Sequence, residues 1–203
     1  MAKENNPLDA RGSVREPGRG HSRRRQVIEW TIVIVAAVLT AVGLRTYVVQ
    51  AFEIPSLSMA PTLLRGDRVL VNKLSYRLHD VNRGDVVVFK RPPNPPSEPA
   101  THEEAAIKDL IKRVVALPGE RVSSRDGKLL VNGRPLNEPY LLTGTMTNID
   151  ADDETVVPAG QYWVMGDNRQ QSKDSRYFGT IRESAIVGRA FVRMWPISHW
   201  GGL

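Results

Sequence analysis

The chain has 203 residues, 41% of them hydrophobic and 25% charged, with no cysteine and a net charge of +6. It is long enough to bury a core in one domain, or in one domain with an appendage. Disulfides, thiolate zinc sites and cysteine nucleophiles are excluded.

The charge is uneven: residues 1–26 sum to +4, residues 27–51 to zero and the remaining 152 to +2. A basic arm can bind nucleic acid, but this one runs straight into the apolar stretch VIEWTIVIVAAVLTAVGL at 27–44. As a helix that stretch covers about 27 Å, close to the hydrocarbon core of a bilayer. A single transmembrane helix is predicted over 27–49. The arginines of the 1–26 tail place that end in the cytoplasm by the positive-inside rule, so residues 50–203 are predicted to lie on the extracytoplasmic side of the plasma membrane. The run is longer than a signal-peptide core and no persuasive small-x-small site closes it, which favours a retained anchor.

Beyond the anchor the residues read mostly as strands. RVLVNK at 68–73 and DVVVFK at 85–90 are short β-branched runs, each opened by Gly-Asp. Residues 91–104, RPPNPPSEPATHEE, read as a surface loop. KDLIKRVVAL at 108–117 reads as a strand or short helix. The DG and NG signals in DGKLLVNGRPL, 126–136, predict a hairpin. Residues 143–154 form another polar loop, 162–168 a buried strand ending in a turn, and 186–195 a final strand. Regular short strands with turns between them predict a mainly β, antiparallel domain. Trp195 and Trp200 follow the last strand; they suit either a membrane interface or, respectively, the core and a frayed end.

The first chemical signal is IPSLSMAPTL at 54–63. In an extended segment Ser56 and Ser58 point the same way, presenting one hydroxyl as a nucleophile and another as a donor to the charge its attack creates. A nucleophilic serine needs a base. His21 sits in the tail, His102 in the proline loop, and His79 beside Asp80, whose adjacent side chain diverges; His199 lies at the far end. A lysine serves only if an apolar setting lowers its pKa. Lys112 has such a setting, because a strand puts Leu110, Lys112, Val114 and Ala116 on one face and Arg113 on the other. Its plainer alternative is a solvated Lys-Arg pair on an amphipathic element. A third polar stretch, GDNRQQSKDSRYFG at 166–179, spaces Asp174 and Arg176 for an ion pair and offers Ser172 as a partner for an amine.

In order, Ser-Met-x-Pro-Thr at 58–62, Gly-Asp-x-Val-Val-Phe-Lys at 84–90, Ile-Lys-Arg-Val-Val-Ala-Leu-Pro-Gly at 111–119 and Gly-Asp-Asn-Arg with Ser-x-Asp-Ser-Arg-Tyr-Phe-Gly at 166–179 resemble the bacterial type I signal peptidases. The resemblance spans about residues 27–196. It implies a membrane-anchored Ser/Lys endopeptidase of signal-peptidase/repressor-protease fold that removes signal peptides from exported preproteins at small-x-small sites. Ser58 is then the nucleophile and Lys112 the base, with the Ser58 N–H and the Ser56 hydroxyl as oxyanion hole. Ser172 orients the amine, Asp174 and Arg176 support it with Arg113 nearby, and Phe52, Ile54, Val69, Val88 and Ile111 line the pockets for small substrate side chains. Leu110 and Gln170-Gln171 depart from the pattern without touching that chemistry, and the short segment between the lysine and Gly166 motifs implies that the second β domain of larger members is reduced here to a small ribbon at about 120–160. The implied partners are preproteins, the lipid bilayer and, as a candidate, the translocation machinery; nucleic acid, cofactors and metals are not implied. A self-cleaving repressor protease shares the dyad but requires a DNA-binding module, which 1–51 does not supply. A membrane-anchored binding protein with an inert β domain is the alternative of another class.

Overall fold

The computed structural model describes residues 20–93, 107–149 and 154–203. Most of the basic tail, most of the proline-rich loop and the end of the 143–154 loop therefore lie outside the described residues. Helix α1 runs from Gly20 to Tyr47. Within it Arg23–Gly43 holds an 18-residue stretch of mean hydropathy 1.9 and is long and apolar enough to cross a membrane. Its aliphatic side chains, Val27, Ile28, Ile32, Ile34 and Leu39 among them, are exposed. A helix apolar on all sides needs an apolar surrounding. Thr31 bonds back to the Val27 carbonyl at 2.8 Å, and Glu29 accepts from Arg25 at 3.2 Å, both along the helix. The helix begins before residue 27 and ends before Val49, which opens the first strand. The Lys73 N–H takes the Val48 carbonyl at 2.8 Å, so the chain is already part of the sheet there.

The strands, in chain order, are β1 (Val49–Glu53), β2 (Arg68–Asn72), β3 (Val86–Lys90), β4 (Asp109–Ala116), β5 (Arg121–Arg125), β6 (Lys128–Val131), β7 (Arg134–Pro135), β8 (Thr155–Val156), β9 (Gln161–Met165), β10 (Ile181–Arg182), β11 (Ile186–Trp195) and β12 (Gly201–Gly202). Short helices α2 (Ser75–Leu78) and α3 (Ser175–Phe178) interrupt them. The larger sheet has the order β1-β2-β11-β3-β4-β9-β10, with β12 also on β11; β7-β6-β5-β8 forms a second sheet. Every pairing is antiparallel, as the mainly β reading expected.

Local chemistry explains the turns. Asp126-Gly127 and Asn132-Gly133 all have positive φ, between 51° and 73°. That is the tight hairpin geometry these pairs favour, and β6 is thereby shared between two hairpins where the sequence suggested one. Each Gly-Asp pair works alike: Asp67 and Asp85 accept the N–H three residues back, from Leu64 and Asn82, both at 2.9 Å. Within the 108–117 segment Asp109–Ala116 is a strand, in which Ile111 pairs with β3 and Val114 with β9.

Three apolar clusters fill the domain. One gathers Ile54, Met59, Leu63, Val69, Val88 and Ile111; a second joins Val115 and Ala116 to the small sheet through Val122 and Leu129; a third holds Val87, Phe89, Val114 and Val164. Strand β4 contributes to all three, and the candidate site lies along it. Trp195 is 51% exposed and Trp200 65%, so the core reading of Trp195 does not hold. Trp195 is the last residue of β11, at the end of its ladder with β2.

Candidate active site

Residues 54–63 do not continue β1 as an extended strand. The chain bends after Ile54 and turns, with Ala60 N–H donating to Leu57 O at 3.0 Å and Leu63 N–H to Met59 O at 2.9 Å. The bend still brings the two hydroxyls together: Ser56 Oγ donates to Ser58 Oγ at 3.3 Å. Ser56 is exposed and Ser58 buried, at 7% exposure.

Lys112 arrives from β4. The β4–β9 ladder stops at Arg113↔Met165, so Lys112 is the first residue beyond it, where the chain after Met165 turns away. Its Nζ donates to Ser58 Oγ at 2.6 Å and to Ile111 O at 3.0 Å, and the residue is 3% exposed. Burial lowers its pKa from 10.5 to about 8, against the opposing pull of the Asp174 and Asp167 carboxylates. Desolvation outweighs two anions because an ammonium loses more by leaving water than it regains from carboxylates already paired elsewhere.

Those carboxylates are committed to arginines. Arg113 grips Asp167 with two bonds, Nε to Oδ1 at 2.9 Å and Nη2 to Oδ2 at 2.7 Å, and Thr62 Oγ1 donates to Asp167 Oδ2 at 2.6 Å. Arg176 holds Asp174 with Nε and Nη2, both at 2.9 Å. Asp174 also accepts the Gly166 N–H at 3.1 Å and caps α3 through the Arg176 N–H. Removing one member of such a buried pair typically costs about 3–5 kcal/mol.

The turn 166–169 ties these parts to the serine. The Asn168 N–H donates to Ser58 O at 3.0 Å and its Nδ2 to Leu57 O at 3.2 Å. A Cβ on Gly166 would stand 2.4 Å from Ser58 O and 2.3 Å from Ser172 Oγ, so nothing larger than glycine fits. Arg169 bonds Gly166 O at 3.1 Å and pairs with Glu138. A serine whose oxygen touches a buried, partly deprotonated amine, with a second hydroxyl beside it, is equipped for acyl transfer.

A family model for signal peptidase, peptidase S26, matches residues 27–195. The chain belongs to the signal peptidase family. It is 39% identical over 178 residues to "Signal peptidase I" of Leptolyngbya laminosa, covering 87% of this chain and 84% of that protein. It is 35% identical over 192 residues to "Signal peptidase IB" of Staphylococcus aureus strain COL, covering 87% and 94%. Family membership and the apolar helix α1 together fit a membrane-anchored protein.

Of the residues the sequence singled out, the fold gathers Ser56, Ser58 and Lys112 at one point and pairs Asp174 with Arg176 nearby. Ile54, Val69, Val88 and Ile111 share one cluster, with Phe52 packed on it. Ser172 Oγ is buried and makes no hydrogen bond; its neighbours include Gly166. The Lys112 amine bonds Ser58 and Ile111 instead. A bulge between Val114 and Ala116 turns Ala116 into the second cluster, so the expected single face of β4 ends at Val114. His79 packs edge-on to Tyr76 and contacts Asp80 O, and His199 lies 3.7 Å from Asp67, each apart from Ser58. His102 and the His21 side chain fall outside the described residues. A cavity of about 660 Å³ lined by Lys73, Tyr76, Arg77 and Glu183 contains none of the site residues.

Sequence reasoning gave no role to Thr62, Tyr140, Asp167, Asn168 or Arg169. The available signal was Asp167 and Arg169 standing directly after a buried apolar strand, where a charge must find a partner.

Proposed function

We propose that this protein is a serine endopeptidase that removes signal peptides from exported preproteins, cutting after small-x-small sequences. The observation that carries the reading is the 2.6 Å contact between Lys112 Nζ and Ser58 Oγ inside a site where the lysine is 3% exposed.

In the neutral enzyme the contact reverses: Ser58 O–H donates to the Lys112 lone pair. Lys112 takes that proton as Ser58 Oγ attacks the scissile carbonyl. The carbonyl oxygen, now an anion, is met by the Ser58 N–H and the Ser56 hydroxyl, each such donor being worth about 10²–10³ in rate. The Lys112 ammonium returns the proton to the departing amine, leaving the signal peptide esterified to Ser58. Water, deprotonated by Lys112, then releases it. Asp174 and Asp167 stabilise the transient ammonium while Arg176 and Arg113 keep both carboxylates in place.

Ile54, Val69, Val88 and Ile111 form an aliphatic wall that accepts small side chains and keeps water from the lysine. The tail arginines put the N-terminus in the cytoplasm and the catalytic domain on the outer face, where a membrane-held signal peptide presents its cleavage site and the translocation machinery delivers it.

The test is cleavage of a preprotein with an Ala-x-Ala site by detergent-solubilised wild type, Ser58→Ala, Lys112→Ala and His79→Ala. The first two variants are expected to be inactive and His79→Ala to match wild type. Cleavage by Lys112→Ala would remove the lysine from the mechanism, and an inactive wild type would favour a binding function.

A further inference from the structure

Arg113 presents its donors to three chain segments at once. Besides Asp167 it reaches Gly84 O at 2.8 Å and Thr62 Oγ1 at 3.4 Å. One face of the guanidinium is then covered by the Tyr140 ring, 4.1 Å from the ring centre. That ring is itself held. Tyr140 O–H donates to Glu138 Oε1 at 2.7 Å, and Glu138 is paired with Arg169, whose side chain is fully buried. Arg169 also bonds Thr147 Oγ1 and, at 3.1 Å, Gly166 O. The Glu138–Tyr140 segment, which follows the small sheet's β7, therefore touches both arginines that bracket the Gly166–Asn168 turn.

We propose that Tyr140 is a positioning residue for the Ser58–Lys112 pair: its ring, whatever its hydroxyl does, seals Arg113 onto Asp167 and thereby fixes Lys112, the next residue along β4. The inference rests on the peptidase reading above and adds a role for the small sheet in it. Arg113 reaches the lysine through one peptide bond. It reaches the serine through Asp167 and its neighbour Asn168, whose N–H holds Ser58 O at 3.0 Å.

The charges around Lys112 make the role measurable. Asp174 and Asp167 face it, compensated by Arg176 and Arg113 respectively. Without the ring, water reaches the Arg113–Asp167 pair and loosens it. Lys112 then loses part of its desolvation and feels more of the Asp167 charge. Both changes favour the ammonium, so the acid limb of the pH–rate curve moves upward. A residue that merely packs the small sheet would lower the melting temperature and leave that limb where it was.

The experiment compares wild type, Tyr140→Phe and Tyr140→Leu, all full-length in detergent, on an Ala-x-Ala preprotein, reading kcat, KM and the acid limb. Tyr140→Met replaces Tyr140→Leu if the latter does not fold. Tyr140→Phe keeps the ring and is expected to hold kcat within about threefold with the limb unmoved. The aliphatic variant is expected to lose about 10- to 100-fold in kcat at unchanged KM, with the limb raised by about one pH unit. An aliphatic variant with the wild-type limb overturns the role, whatever its kcat, and so does a Phe variant that behaves like the aliphatic one. An inactive wild type overturns the peptidase reading and this role with it; an active wild type beside an unmoved limb overturns this role alone.

Discussion

Replacing Lys112 should stabilise the protein, and by an amount that depends on pH. Lys112 is 3% exposed, and its pKa falls from 10.5 to about 8 on burial. At about 1.4 kcal/mol per tenfold change in proton affinity, carrying the ammonium into the fold costs about 3 kcal/mol. Lys112→Met fills a similar volume without the charge. It forfeits the contacts to Ser58 Oγ and Ile111 O, together about 1–2 kcal/mol. The net at pH 7 is a variant more stable by about 1–2 kcal/mol, or about 2–8 °C in Tm for a domain of this size. The sign then reverses. Between about 8 and 10.5 the unfolded chain holds a proton that the native lysine has shed, so wild-type stability rises with pH across that window. Above it the lysine is neutral in both states and only its lost contacts count, which leaves the methionine variant the less stable one. Thermal unfolding of both detergent-solubilised proteins, followed by circular dichroism at pH 7 and pH 10.5, measures this. A methionine variant less stable at pH 7, or a gap equal at both pH values, would refute the claim that Lys112 is held in a desolvating site.

Three further outcomes follow from the same geometry. Only the neutral amine accepts the Ser58 proton, so kcat should climb about tenfold per pH unit on the acid side and level off above about 8; a flat profile from pH 6 to 9 contradicts a lysine base. Ser56→Ala removes an exposed hydroxyl 3.3 Å from Ser58 Oγ, and should cut kcat by about 10²–10³ while Tm stays within about 1 °C; unchanged turnover would take Ser56 out of the oxyanion site. Gly166→Ala drives a methyl to within 2.4 Å of the Ser58 carbonyl, and is expected to cost about 1–3 kcal/mol in urea unfolding together with most of the activity. Wild-type stability in that variant would mean the 166–169 turn yields freely.

The sheet was legible where its residues speak locally. The β-branched runs of β2, β3 and β11 and the positive-φ Asp-Gly and Asn-Gly turns announce themselves. Strands β8, β10 and β12 are two residues each; partners from elsewhere in the chain create them, so a local pattern has nothing to report. Edge strand β1, VQAFE, pairs with β2 alone and shows no clean alternation of buried and exposed residues.

The site followed the same division. Asp174 and Arg176 sit two residues apart and could be paired by eye. Arg113 and Asp167 meet across 54 residues, and Arg169 and Glu138 across 31. Such partners become neighbours only once β4 lies beside β9 and the small sheet folds back. The proximity of Ser56 and Ser58 was anticipated, yet a bend produces it rather than an extended strand. Reading Lys112 as buried needed only the apolar run around it; where its face of β4 ends needed the bulge after Val114.

The central claim is that Lys112 is a base because the fold keeps it short of water. Its most direct test is to follow the Lys112 side chain itself by NMR, titrating the full-length protein in detergent with isotopically labelled lysine and assigning the signal by its loss in Lys112→Met. A midpoint near 8 is the predicted result, and a midpoint near 10.5, that of an ordinary lysine, would contradict the account.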